Sequence, residues 1–218
     1  MKGLLIKDIM LMKNQKQSMA FMFMMGILFM FMGDDVSMGI SFVTTMFSIF
    51  SITIISYDEF DNGMSFLFTL PVNRVKYVIE KYIFGILICL TGYIGISVFA
   101  GIISVIRGIE FPFLEYLEVG AGGFVAAIML ISFMIPVQLK FGAEKSRIAM
   151  IGVVGISVAL GYVLVKIMHC LNVDVEAIFE MIENIRMGIL VLFMIILLII
   201  IITISYIVSI KIMRKKEF

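Results

Sequence analysis

Six long apolar runs constrain what this chain can fold into more than any other feature of the sequence. They lie at residues 18–32, 36–56, 82–106, 119–139, 148–168 and 187–210. Most are longer than about 18 residues, the length at which a membrane-spanning helix is the expected structure. The chain is also 62% hydrophobic and 15% charged, an apolar share well above that of soluble domains. The sequence therefore predicts an all-α membrane protein, with six transmembrane helices in one domain, residues 1–218.

The first run is the shortest of the six. Its apolar stretch, "SMAFMFMMGILFMFM", gives a helix of roughly 22 Å, whereas the hydrocarbon core of a bilayer is about 30 Å thick. We still expect it to span, by thinning the bilayer or drawing on flanking residues, because the polar turn 33–35 returns the chain directly into the second run.

The distribution of Lys and Arg predicts the orientation. Fourteen of the 17 lie in the N-terminal segment, between the second and third runs, between the fourth and fifth, and in the C-terminal tail. Arg107, Lys166 and Arg186 belong to the other side, which also carries many Asp and Glu residues. Since cytoplasmic segments are enriched in Lys and Arg, we predict that both termini are cytoplasmic.

The last outer segment, 174–186, has the pattern of an amphipathic helix. Asp174 is suited to cap it, and "VEAIFEMIENI" separates apolar from acidic residues at helical spacing. Glu176, Glu180 and Glu183 lie on its acidic side. This side is either solvated over a cap on the bundle or an acidic rim for a cationic cargo that leaves the membrane.

The segment 57–73, between the second and third runs, is unusually polar for this chain. A turn at 61–63 leads into "MSFLFTL", which predicts a short helix that ends before Pro71. Met64, Leu67 and Phe68 share one side of that helix, and we expect this apolar side to be exposed. It would then lie at the membrane interface or fill a groove on another protein.

Several classes of function are excluded or disfavoured. The chain has no glycine-rich phosphate loop that ends in Lys-Ser or Lys-Thr, so any nucleotide hydrolysis must come from a partner. It has a single histidine and no acidic cluster within the apolar runs, which argues against an intramembrane metalloprotease. Ionisable residues are almost absent from the centres of the runs, which disfavours a proton- or ion-coupled secondary transporter. We expect no enzyme activity and no cofactor bound by this chain, and its net charge of +1 gives no indication of a nucleic acid partner.

A family resemblance rests on the same polar segment. The order "YDE…NGMSFLFTLPVNRVKYVIEKY", after two spans and the basic start "KGLLIKDIMLMK", resembles the membrane subunits of bacterial type-2 class ABC exporters. Among them the chain is similar to the short permeases of exporters of phenol-soluble modulins, which are amphipathic toxin peptides.

The resemblance implies a multi-pass permease subunit in the bacterial cell membrane that exports amphipathic or toxic peptides. It implies a cytoplasmic ABC ATPase subunit, which binds ATP and Mg²⁺, and a second permease subunit, either the same chain or a paralogue. It also implies that 57–73 contains a coupling helix docked on the ATPase. The implied interface residues are Asp58, Glu59, Asn62, Met64, Leu67, Phe68, Pro71 and Arg74. The alternative is a membrane scaffold or immunity protein that binds a peptide or a partner without transport.

Overall fold

The computed structural model describes residues 2–33, 36–60, 63–108, 113–170 and 187–216, with some side chains of 113–170 and 187–191 left undescribed. The described residues form seven helices and no strand. These are α1 (Lys2–Asn14), α2 (Lys16–Met32), α3 (Ser37–Glu59), α4 (Gly63–Thr69), α5 (Arg74–Arg107), α6 (Phe113–Cys170) and α7 (Met187–Lys215). Asn62 and the predicted outer helix 174–186, with Glu176, Glu180 and Glu183, lie outside the described residues.

Four helical segments of the described chain are long and apolar enough to cross a membrane. They are Ser37–Glu59, Arg74–Arg107, Gly120–Gly142 and Leu192–Lys215, and they correspond to the second, third, fourth and sixth predicted spans. The first predicted span is the shorter apolar helix α2. The fifth, 148–168, falls in the part of α6 where many side chains are undescribed. The all-helical membrane architecture is therefore confirmed, while six spans and the cytoplasmic termini stay predictions.

The ends of α5 are set by local side-chain and backbone chemistry. The Asn73 side chain accepts a hydrogen bond from the Val75 amide at 3.1 Å, which caps the first turn. At the other end Gly108 takes the left-handed conformation, with φ of 64°, that commonly terminates helices. The helix is about 51 Å long at 1.5 Å per residue, well beyond the thickness of the hydrocarbon core. Its first turns therefore extend past the apolar layer.

A glycine divides α6 into two helical segments. Gly142 has φ of 76° and ψ of 175°, a conformation that other residues adopt only with strain. The break lies in "KFGAEKSR", the segment predicted to join the fourth and fifth spans. The short helix predicted before Pro71 is also present, because α4 ends at Thr69, two residues before this proline.

The bundle is organised around α3, which packs against α2, α5 and α6, while α7 packs against α5 and α6. Helices α2 and α3 approach closely at Gly26 and Gly39. A Cβ atom on Gly39 would lie 2.5 Å from the Gly26 carbonyl oxygen, so only glycine fits there. Separate contacts join α3 to α1 and α4, and α5 to α1 and α7.

Candidate functional site

Helix α4 lies against the bundle with one side and leaves the other side uncovered. Met64 and Leu67 are 4% and 8% exposed and belong to the core, and Phe68 packs against them. Phe66, on the opposite side, is 71% exposed. The expectation that this side is exposed is therefore wrong for Met64 and Leu67, which pack in one core cluster with residues of α3, α5 and α7, while Phe68 is half-buried against that cluster. The exposed apolar side chain of α4 is Phe66.

Phe66 has apolar neighbours along the same polar segment. Phe60 is 55% exposed immediately after α3, and Leu70 is 47% exposed just after α4. Pro71 is also exposed. These residues form an apolar surface, here called the α4 surface, that the chain itself leaves in contact with solvent or a partner.

Near α4, a group of charged side chains contact one another instead of facing away from the protein. Five side chains from three helices meet at the ends of α3 and α5, and we call them the ion cluster. They are Lys7 and Asp8 of α1, Asp58 of α3, and Glu80 and Lys81 of α5. Their contacts join residues as far as 73 positions apart in the sequence.

Lys81 is the centre of the ion cluster. Its Nζ lies 2.8 Å from Asp58 Oδ2 and also contacts Asp8 Oδ2, and its side chain is 1% exposed. Lys7 contacts Asp58 and lies 3.0 Å from Asp8 Oδ1, so each aspartate is shared by both lysines. Charges removed from water in this way are stabilised only by close partners of opposite sign. The ion cluster therefore fixes α1 to α3 and α5.

Tyr77 and Glu80 complete the surroundings of Lys81. The Tyr77 hydroxyl donates to Asp58 Oδ2 at 3.0 Å, and the Lys81 ammonium lies 5.0 Å from the Tyr77 ring centroid. Glu80 Oε2 is 3.6 Å from Lys81 Nζ, and neither Glu80 oxygen has a hydrogen-bond partner among the described residues.

A second set of contacts, which we call the tail clamp, holds the end of α7. The Arg74 guanidinium donates to the carbonyl oxygens of Met213 and Arg214 at 3.1 and 2.9 Å, and it lies 6.0 Å from the Phe68 ring centroid. Cations near the last carbonyls of a helix are favourable because those groups lack partners within the helix. Through Arg74, the end of α7 is connected to α4 and α5.

The other half of the tail clamp is an ion pair. Lys216 Nζ donates to Glu59 Oε1 at 2.9 Å and to the Leu139 carbonyl oxygen at 3.2 Å. Glu59, predicted to face a partner, thus pairs with the C-terminal end of its own chain. Together, the ion cluster and the tail clamp connect α1, α3, α5 and α7 as one unit, and Arg74 adds a contact from this unit to Phe68 of α4.

The sequence predictions identified the polar segment but not its partners. Asp58, Glu59, Met64, Leu67, Phe68, Pro71 and Arg74 lie within or beside this unit, and Asn62 lies outside the described residues. Lys7, Asp8, Glu80, Lys81 and Lys216 were missed as structural partners. A signal existed in Asp8, an isolated acidic residue in a basic segment, but its partner is too distant in sequence to be found by spacing.

Among the described residues, no group of three or more His, Cys, Asp or Glu side chains is arranged to hold a metal ion. Each ion-cluster aspartate contacts two ammonium groups, which would repel a cation at the same oxygens. What the arrangement offers is a rigid connection between a small uncovered surface and the membrane-spanning helices.

The structure thus places a short helix, α4, between α3 and α5, with Met64 and Leu67 buried and Phe66 exposed. The family model described as "ABC-2 family transporter protein" matches residues 3–214, nearly the whole chain. The chain belongs to this family and is a permease subunit of an ABC transporter, a class that works with an ATPase partner. No curated protein and no solved structure shows significant similarity to the chain.

Proposed function

We propose that the chain is one half of the permease of an ATP-driven exporter and that a separate ATPase docks on the α4 surface. Family membership supports the permease role and an ATPase partner. The single observation that supports this docking site is that the two sides of α4 differ in exposure. Leu67 is buried in the bundle, whereas Phe66 is 71% exposed beside it.

This arrangement suits the transmission of force. A partner that contacts Phe66 contacts a helix whose other side packs in one core cluster with residues of α3, α5 and α7, so a displacement of α4 would be transmitted to those helices. The ion cluster and the tail clamp extend the same connection to α1 and α7. A central apolar anchor surrounded by polar contacts is the usual organisation of a protein interface.

The proposed cargo is an amphipathic peptide, and its support comes from the sequence. The chain resembles the short permeases of phenol-soluble modulin exporters, and its first span is rich in Met and Phe. Methionine adapts to varied apolar surfaces, which suits a conduit for several peptides. We further propose that two copies, or one copy and a paralogue, enclose the conduit, and that Glu176, Glu180 and Glu183 receive a cationic cargo at the outer surface.

The docking site is tested by Phe66→Ala. Because Phe66 is exposed, its truncation should leave the unfolding temperature of the permease unchanged while weakening association with the ATPase by about 2 kcal/mol. The measurements are a pull-down of the ATPase from membranes and nucleotide hydrolysis by the purified complex. Phe21→Ala is the matched control, since Phe21 is 65% exposed on α2, away from the α4 surface.

Leu67→Ala separates docking from folding. Leu67 is buried, so its truncation should lower the unfolding temperature as well as the amount of bound ATPase. If Phe66→Ala retains a stoichiometric ATPase with wild-type turnover, the α4 surface is not the docking site. If the unmodified permease purifies without any nucleotide-binding protein, the scaffold alternative gains support instead.

A further inference from the structure

An apolar groove runs between α6 and α7 and shares no residue with the ion cluster or the tail clamp. Its volume is about 490 Å³, within the range of about 300–1,000 Å³ typical of ligand pockets. The residues that form its apolar walls include Phe133, Pro136 and Val137 of α6 and Ile201, Ile204 and Val208 of α7. Phe133, Ile204 and Val208 remain between 41% and 57% exposed, so the groove is open along its side.

The groove has the length of one bilayer leaflet. It extends on α7 from Ile201 to Ile212, which is about 16 Å at 1.5 Å per residue. The hydrocarbon core of a bilayer is about 30 Å thick, so half of it is about 15 Å. An acyl chain that fills the groove would therefore be about as long as half of the hydrocarbon core, measured from the end of the groove that Lys140 lines.

Two serines, Ser132 and Ser205, line the groove, and the Ser132 hydroxyl oxygen is itself buried. Ser205 lines the groove, but its hydroxyl donates to the Ser132 carbonyl oxygen and lies 2.5 Å from the Tyr82 hydroxyl. The Tyr82 hydroxyl is also 2.9 Å from that of Ser209. These contacts keep the Ser205 hydroxyl within the bundle, so the wall suits an acyl chain.

The lysine-rich end of the groove carries positive charge. Lys140 lines this end, with its ammonium 5.0 Å from the Phe141 ring centroid. Lys215 is exposed and lies three residues beyond Ile212, on the same side of α7. No acidic residue is among the described residues that line the groove. The end of the groove is thus complementary to a phosphate, and it would repel a cationic peptide.

We propose that this groove binds one anionic phospholipid from the leaflet at the lysine-rich end, which is the predicted cytoplasmic leaflet. One acyl chain lies between α6 and α7, and the headgroup phosphate contacts Lys140 and Lys215. A second copy of the chain fits less well, because it would take both lysines out of water where the groove offers no carboxylate. The proposal does not depend on the peptide cargo or on docking at the α4 surface.

The absence of tryptophan from the chain permits a direct test. Phe133→Trp places the only tryptophan of the variant in the groove, and excitation at a wavelength that tyrosine does not absorb isolates its emission. Ile207→Trp is the matched control, because Ile207 is 47% exposed near the level of Ser205 but does not line the groove. Each full-length variant is placed in nanodiscs of mixed lipids, with a small fraction of either phosphatidylglycerol or phosphatidylcholine carrying brominated acyl chains that quench tryptophan.

We expect brominated phosphatidylglycerol to quench Phe133→Trp at a lower fraction than brominated phosphatidylcholine does, by about fivefold for each lysine that contacts the phosphate. Ile207→Trp should show no preference. The preference should disappear in a Lys140→Ala/Lys215→Ala background and persist with Lys140→Arg. Unchanged quenching of Ile207→Trp in the double-alanine background shows that the variant is correctly inserted.

Two results would overturn the proposal. Equal quenching of Phe133→Trp by both lipids would mean that the groove contacts bulk bilayer without selecting a headgroup. Quenching of Ile207→Trp but not of Phe133→Trp by either lipid would mean that protein, such as a second copy, covers the groove. Neither result bears on ATPase binding, so the proposed function is tested separately.

Discussion

The ion cluster and the tail clamp both join charged side chains from distant parts of the chain, but water reaches them to different extents. In the ion cluster the side chains of Asp8, Glu80 and Lys81 are at most 1% exposed and that of Asp58 is 5% exposed, and only Lys7, at the edge of the cluster, is 30% exposed. In the tail clamp Lys216 is 28% exposed and Glu59 is 13% exposed. Two neighbouring residues, Asp58 and Glu59, thus belong to different electrostatic surroundings.

This difference shows that two adjacent residues of the polar segment 57–73, Asp58 and Glu59, stabilise different parts of the bundle. Successive residues of a helix point in directions about 100° apart, so Asp58 turns towards α1 and α5 while Glu59 turns towards the end of α7. A buried pair is costly to break because the remaining charge has lost its water, whereas a partly exposed pair is replaced by solvent. We therefore expect the ion cluster to govern folding and the tail clamp to adjust the position of α7.

The largest effect should come from Lys81→Met. This change leaves Asp8, Asp58 and Glu80 with only Lys7, and loss of one partner of a buried pair typically costs about 3–5 kcal/mol. We expect a lower unfolding temperature in detergent and less protein in membranes. Lys76→Met is the control, because Lys76 is exposed on the same helix.

The double variant Asp58→Asn/Lys81→Met sharpens this result. Since the two side chains are 2.8 Å apart, the double variant should lose less stability than the sum of the single variants. If Lys81→Met unfolds at the same temperature as Lys76→Met, the ion cluster does not stabilise the fold and the comparison fails.

An intermediate effect is expected for Arg74→Lys. Both hydrogen bonds to the Met213 and Arg214 carbonyls come from one guanidinium nitrogen, Nη1, and the shorter lysine side chain keeps the charge but should reach at most one of the two oxygens. The loss of one such hydrogen bond costs about 1 kcal/mol. Hydrogen exchange should become faster in the last turn of α7 while α1 is unaffected. Unchanged exchange in that turn would show that Arg74 does not hold it.

The smallest effect is expected for Glu59→Gln. The Glu59–Lys216 pair is partly exposed, so its loss should cost less than about 1 kcal/mol. Added salt should lower the stability of the unmodified protein towards that of the variant, because salt screens exposed pairs more than buried ones. Thermal unfolding at low and high salt measures this. A loss as large as that for Lys81→Met would mean that the pair behaves as a buried one.

Much of the architecture was predictable because it depends on local patterns. The apolar runs predicted the helices that now appear as α2, α3, α5, the first part of α6 and α7. The short helix α4 followed from a turn before it and Pro71 after it. Hydrophobicity and proline geometry act over a few residues, so they can be read without knowing the fold.

The break at Gly142 was less predictable. The sequence shows a polar segment between two apolar runs, which is typical of a loop. The structure instead continues the helix on both sides of one glycine with positive φ. Nothing in the sequence distinguishes Gly142 from the chain's other glycines. The positive φ at Gly142 is required by the directions that the two helical segments of α6 take in the folded protein.

The sequence by itself determined the class of protein, the apolar helices and the side of α4 that carries Met64, Leu67 and Phe68. Only the tertiary structure decided that this side packs on the chain's own bundle and leaves Phe66 exposed, and that Lys81 meets Asp8 from 73 positions away. The physical reason is that helical periodicity shows which residues share a side, whereas burial depends on which distant helix covers that side.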